Sequence, residues 1–519
     1  MPAVTESPLE LDGQSLTLEA AESVARHGRA VRRAAAAVPA MDRAREAVER
    51  ALRSESAVYG INTGLGRLSD IRIPADHILE LQVNLLRSHA CGVGPELPPE
   101  AVRAMLLLRA NSLAKGHSGV RRVVVERLCD LLNAGVTPAV PARGSVGASG
   151  DLAPLAHLAL VLIGEGQARL WRPGQAEAAP LLPGVNVLRA AGLEPLRLEA
   201  KEGLSLLNGT QGMLAVGVLV CLDAARLADT ADVIGALSLE ALRGTPVAFD
   251  PRLQAVRPHP GQAATAAHVL ELMEGSEIRE SHRDCGRLQD AYSLRCMPQV
   301  HGAVRDVLAE ARRIFTLEAN AAVDNPLVVF EPSGAAEILS GGNFHGQPLA
   351  FALDQIAIAL AALGGISERR LERLVNPALN EGLPAFLAAE PGLHSGLMMA
   401  QVTAAALVAE NRGLAHPSSV ESITTSGNKE DFVSMGMGAA LQARQAVDNT
   451  CQILAIEAMA AAEALDLLAP MRPGLRLRQA HAAIRDRVPR LHHDRVLSAD
   501  FAAASDLLAS GALARLLHP

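Results

Sequence analysis

The sequence predicts a mainly α-helical protein: a bundle of long helices in the second half, preceded by a smaller N-terminal region of mixed but mostly helical structure. Two observations carry this. Of the 519 residues 49% are apolar but only 2% are aromatic, so the core has to be built from Ala, Leu and Val, which suit closely packed helices better than a β-sandwich. Proline, which breaks helix interiors, is absent between Pro195 and Pro246, Pro298 and Pro326, Pro348 and Pro377, and from Phe432 to Ala469. Each window is rich in Ala, Leu and Glu. The last could form one helix, Ser434–Ala469, of ~54 Å at the standard rise. Helices of that length usually pair into bundles.

The first 200 residues read differently. Helical stretches alternate with glycine-rich turns at Gly60–Gly66, Cys91–Gly94 and Gly144–Gly150. Gly166–Leu196, rich in Pro and Gly, reads as a surface excursion or small hairpin. The expected division is 1–212 and 213–519, with no internal repeat.

Composition excludes several classes. A net charge of -8 without a basic stripe argues against a nucleic-acid partner. Apolar runs such as Gly212–Leu222 and Ile356–Ile366 are shorter than the ~20 residues a membrane span needs. The first residues, MPAVTESPLELDG, lack a basic segment followed by an apolar one. Six cysteines without a C-x-x-C pair read as reduced thiols, so the expected location is the cytoplasm. Sixteen histidines include no H-x-x-x-H pair, and His492-His493 reads as a surface turn, so no metal is expected.

Tyrosine occurs only twice, at Tyr59 and Tyr292. An ordinary tyrosine is an amphipathic core residue, but these two lie in unusual polar contexts. Tyr59 opens Tyr59-Gly-Ile-Asn-Thr-Gly-Leu-Gly66. Tyr292 lies three positions before Arg295, so on a helix the phenol and guanidinium share a face.

The segment Arg143-Gly-Ser-Val-Gly-Ala-Ser-Gly-Asp151 supports four readings. A phosphate cradle needs a Lys that is absent, and the G-x-G-x-x-G spacing is absent too. A serine elbow needs G-x-S-x-G, but Asp151 stands where the last glycine belongs. A plain turn is the default for a lone match. The fourth reading is a backbone that cyclises on itself.

Here the segment resembles the signature of the histidine, phenylalanine and tyrosine ammonia-lyase family. The resemblance covers nearly the whole chain from Leu9. It implies a helix bundle of the fumarase/aspartase type and a 4-methylidene-imidazol-5-one group formed autocatalytically from Ala148, Ser149 and Gly150. The chemistry suits these residue types. The Gly150 nitrogen attacks the Ala148 carbonyl, where a side chain would obstruct it, and Ser149 loses its hydroxyl. The product is an electrophile that no standard side chain supplies.

By the same resemblance Tyr59 is the base for the β-proton, with a pKa lowered by local hydrogen bonds. Asn208 lies beside the prosthetic group. Gln289, Tyr292 and Arg295 line the site, with Arg295 as partner of the substrate carboxylate. Phe344 in Ser340-Gly-Gly-Asn-Phe-His is an aromatic wall.

Two residues bear on the substrate. Ser88-His89 and Glu430 resemble the histidine-lyase forms of their positions and imply deamination of L-histidine to urocanate. A lone His is more often a satisfied core residue, and Glu430 also reads as a helix N-terminal carboxylate. Phe432, Lys429 and Gln347 depart from the family pattern. The alternatives are a tyrosine or phenylalanine lyase or an aminomutase on the same scaffold, a serine hydrolase using Ser149, and a non-catalytic scaffold. The resemblance further implies a homotetramer with shared sites.

Overall fold

A computed structural model of the chain describes residues 7–54, 57–64, 66–174 and 179–518. Leu65 of the glycine-rich turn and the first six residues lie outside the described residues. Helices dominate, and four are long: Gln211–Ala241, Met297–Ala319, Gln347–Val375 and Gly436–Leu467. Each falls in a proline-poor window of the sequence. Pro298 and Pro348 occupy the second position of their helices, where a missing N–H costs nothing.

Two compact units emerge. The first takes residues up to Leu219 with Arg312–Leu353 and Ser418–Leu441, and the second takes Val220–Ala311, Asp354–Pro417 and the chain from Gln442. The sequence suggests one division near residue 212. By compactness a dividing position falls inside each of the four long helices.

In the first unit the helix Pro99–Ala114 is buried on every side from Ala101 onward. It packs against Leu18–His27 and Arg122–Asn133. Strands are short and local. Val93–Glu96 pairs antiparallel with Pro141–Arg143, and Leu327–Phe330 with Ala336–Leu339. Within the Gly166–Leu196 excursion, Gln167–Leu170 pairs antiparallel with Leu182–Pro183. Ala44, Ala47, Val48, Ile61 and Val328 form a small core that seats the turn carrying Tyr59.

The second unit buries charge. Arg370 forks onto Glu457 at 2.6 and 2.9 Å, and Glu457 also accepts from Ser238 and Ser367. His301 contacts Asp232 through Nδ1 at 2.7 Å and Arg370 through Nε2 at 3.2 Å. An arginine can only donate, so Nε2 accepts and the ring is the neutral Nδ1–H tautomer. Burial opposes the Asp232 charge, but hydrogen bonds from His268 and His301 and the Arg305 guanidinium hold its carboxyl well below the usual range.

Glu240 has no direct ion pair among the described residues, and Arg279 and Arg478 lower its carboxyl less than burial raises it. Burial pushes its carboxyl up to about 7, although Ser276 and the Gly474 N–H donate to it. The folded state therefore holds this proton more tightly than the unfolded chain. The stability it contributes is complete below the unfolded value of 4.5 and is lost as pH rises through about 7. Glu240→Gln is expected to match the wild type in thermal unfolding near pH 4 and to exceed it at pH 8 by about 1–3 kcal/mol. A constant difference across that range would overturn the assignment.

Two helices, Gln211–Ala241 and Gln347–Val375, are long and apolar enough to cross a membrane by length and composition, correcting the expectation drawn from uninterrupted runs. Of their most apolar windows 83% and 61% is buried inside the protein, as in core helices. Charges such as Asp223 interrupt the runs without lowering the mean enough.

Candidate active site

The loop 144–151 leaves the strand Pro141–Arg143 and enters the helix Leu152–Leu162. Its backbone is left-handed at Gly147 (φ 84°), Ser149 (φ 51°) and Gly150 (φ 80°). Glycine takes this region freely. Serine does so at a cost of order 1 kcal/mol, so Ser149 must be held by its surroundings. The holding contacts are plain. The Gly150 N–H donates to Gly147 O at 3.2 Å, the Asp151 N–H to Gly209 O at 2.7 Å, and the Met435 N–H to Val146 O at 2.9 Å. A Cβ on Gly150 would lie 2.1 Å from Gly209 O, and one on Gly147 would lie 2.2 Å from Ser434 Oγ. Both glycines are demanded by close approach as well as by φ.

Asp151 ties the loop to the start of the helix Gln211–Ala241. Its carboxylate accepts from Met213 N–H at 2.7 Å and Ser145 Oγ at 2.8 Å. Burial still pushes it up to about 6.

Ser149 Oγ donates to Glu430 Oε1 at 3.1 Å. The other carboxylate oxygen accepts from Thr425 Oγ1 at 2.7 Å and Ser426 Oγ at 2.5 Å. Thr425 and Glu430 form a tight antiparallel bridge, six residues before the helix Gly436–Leu467 begins. Glu430 is therefore not a helix N-terminal carboxylate; it is aimed at Ser149 by its own turn.

Tyr59 lies half-buried in the turn that begins at Val58, whose N–H donates to Asn62 Oδ1 at 2.7 Å. The expected lowering of its pKa is corrected. Burial raises the phenol above 10, the Gly66 N–H only partly offsets this, and the charges of Glu430 and Asp324 raise it further. Burial, with two anions adding to it, outweighs one hydrogen bond.

Asn208 follows the helix Glu202–Leu207. Its Nδ2 donates to Asn325 O at 2.9 Å. Its Oδ1 is buried without a hydrogen-bond partner among the described residues. His89 ends the helix Ile78–His89, and its Nδ1 lies 2.8 Å from Leu85 O. That contact puts the ring proton on Nδ1 and leaves Nε2 as an acceptor. Phe344 stands half-exposed in a loop held at Gly341, whose N–H donates to Asn325 Oδ1 at 2.8 Å.

Gln289, Tyr292 and Arg295 belong to the second unit. Tyr292 and Arg295 do share a helix face, but the guanidinium carbon sits 4.7 Å over the phenol ring, a cation–π contact. Arg295 Nε is buried without a partner among the described residues. Gln289 is exposed.

Sequence reasoning missed several neighbours of the site. Lys201 and Asp324 form a wholly buried ion pair at 2.7 Å, completed by Ser205. Arg109 is buried inside an apolar helix. His345 stacks on Phe432 with ring centroids 6.2 Å apart, and its Nε2–H donates to Phe432 O at 3.2 Å. A charged residue inside an apolar run was the available signal for Arg109.

The family model of the aromatic amino acid lyases matches residues 16–486, and the chain belongs to that family; it is a carbon–nitrogen lyase. It is 57% identical to a histidine ammonia-lyase of Koribacter versatilis, over 98% of each chain. It is 55% identical to one of Anaeromyxobacter sp., over 97% of this chain and 99% of that one. Among solved structures, a histidine ammonia-lyase from Trypanosoma cruzi superposes with a TM-score of 0.90 at 42% identity, covering 99% of this chain and 95% of the other. A tyrosine aminomutase from Streptomyces globisporus gives 0.92 at 41% identity, covering 98% of each.

Proposed function

We propose that the enzyme eliminates ammonia from L-histidine to give urocanate, using a 4-methylidene-imidazol-5-one group formed from Ala148, Ser149 and Gly150. The observation that carries the reading is the Ser149–Glu430 hydrogen bond at 3.1 Å. It joins the reacting triad to one of the two residues that mark histidine as substrate. The higher identity to histidine lyases than to the aminomutase favours the same substrate.

The residues present fit the group. Ser149 and Gly150 have the left-handed backbone of a tight loop, Gly150 has no room for a side chain, and Asn208 offers a buried oxygen without a partner. The group would supply the electrophile that makes a poor leaving group depart. The chain's own residues do the rest. Arg295 pairs with the substrate carboxylate. His89 Nε2 accepts from the imidazole N–H, and Glu430 orients the amine. Phe344 shields one side of the ring, and Gln289 and Tyr292 complete the lining. Tyr59 takes the β-proton. Its phenol starts protonated, chiefly because burial disfavours the phenoxide, so the phenolic proton has to leave before Tyr59 acts as the base.

We further propose a cytoplasmic homotetramer with shared sites. Six unpaired cysteines support the compartment. Exposed Phe351, Ile358, Met399 and Val402 on two helices support the assembly.

The test is ultraviolet product formation from L-histidine, L-tyrosine and L-phenylalanine, run across sedimentation fractions. Urocanate alone, travelling with a tetramer, is expected. Coumarate or cinnamate would overturn the substrate, and an active monomer would overturn the assembly.

A further inference from the structure

Behind the turn that faces Gly150 lies a buried cation that the reaction itself does not use. Arg109, within the helix Pro99–Ala114, is 0% exposed. Its Nη1 donates to Asn208 O at 3.0 Å and to Gln211 Oε1 at 2.7 Å. Its Nε and Nη2 have no partner among the described residues. Among the described residues no carboxylate hydrogen-bonds to it: Asp324 acts on it only through its charge and is bonded to Lys201 and Ser205. Burying a guanidinium this way is costly. A leucine would fill the same place in this apolar helix at lower cost, so the arginine has to be justified by what it holds.

It holds the turn Asn208–Gln211. At the centre of that turn a Cβ on Gly209 would lie 2.4 Å from Arg109 Nη1. On its other side Gly209 pairs with Gly150 and accepts the Asp151 N–H at 2.7 Å. The guanidinium thus holds the two ends of a turn whose central glycine pairs with the glycine-rich loop.

We propose that Arg109 is a positioning residue for self-cyclisation: by fixing the Asn208–Gln211 turn it presses Gly209 against Gly150 and keeps the loop closed for ring formation. This rests on the reading that residues 148–150 cyclise. In that step the Gly150 nitrogen bonds to the Ala148 carbonyl carbon. The carbonyl oxygen leaves as water with the amide hydrogens of Ser149 and Gly150. Ser149 then loses its hydroxyl and α-hydrogen as a second water. No co-reactant is needed.

The experiment is intact-mass spectrometry of the folded, full-length wild type, Arg109→Met and Arg109→Lys, with melting temperatures of the same fractions. The wild type should be lighter than its encoded mass by two waters. In Arg109→Met the ratio of cyclised to uncyclised chains should fall roughly tenfold, the factor for losing one charge-assisted hydrogen bond. Arg109→Lys keeps the charge without the fork and should lie between. A merely structural role would lower the melting temperature and leave the cyclised fraction of folded protein at the wild-type level, which would overturn the proposal. If Arg109→Met does not fold, Arg109→Lys decides alone by the same criterion. A wild type at its encoded mass would overturn the cyclisation reading instead.

Discussion

Ser149→Ala is expected to give a folded protein at its encoded mass with turnover at background. The two effects come apart for a physical reason. Alanine can occupy φ 51° at about the cost serine already bears, and a cyclised wild type has itself given up the Ser149 hydroxyl that donates to Glu430. Thermal unfolding should therefore shift little. Chemistry should stop, because an alanine has no hydroxyl to eliminate and no exocyclic methylene can form. Substantial elimination activity in this variant would remove the prosthetic group from the mechanism.

Tyr59→Phe is expected to lower kcat by about 10²–10⁴, the usual contribution of a positioned base, with a much smaller change in KM. The turn is seated through Ile61 and Val58, so folding should survive loss of the hydroxyl. In the wild type, kcat/KM should rise with pH from neutrality, because burial and the Glu430 and Asp324 charges hold the phenol above its ordinary value of 10 and only the phenoxide accepts a proton. A Phe variant within a few-fold of wild-type kcat would assign the base elsewhere.

The long helices were legible because proline spacing bounds them. The window ending at Ala469 contains a helix, Gly436–Leu467, that stops short of Pro470. The glycine-rich loop was legible for a different reason: Gly147 and Gly150 have no room for a Cβ, so the chemistry of the loop is written in residue type. What could not be read was tertiary. Glu430 reads equally as a helix cap until its own turn, closed by Thr425, aims it at Ser149. The phenol's shift could not be read either, since it depends first on burial and then on two carboxylates that are remote in sequence. Buried Lys201 has no periodic signature; its left-handed backbone and its pairing with Asp324 exist only in the folded chain.

The first compact unit has a consequence for biosynthesis. It draws on Ser418–Leu441 as well as on the N-terminal residues, and the Ser149–Glu430 contact spans 281 positions. At translation rates of about 5–20 residues per second, tens of seconds separate the emergence of the serine from that of the carboxylate. Through most of that interval the glycine-rich loop has its contacts with Gly209 and Met213 but lacks those with Glu430 and Met435. A ribosome that stalls before residue 418 releases a polypeptide that contains Ala148, Ser149 and Gly150 but not the wall that Met435 builds against Val146. The proposed cyclisation would then be completed only after Ser418–Leu441 has emerged, and a chain truncated before residue 418 is expected to keep its encoded mass.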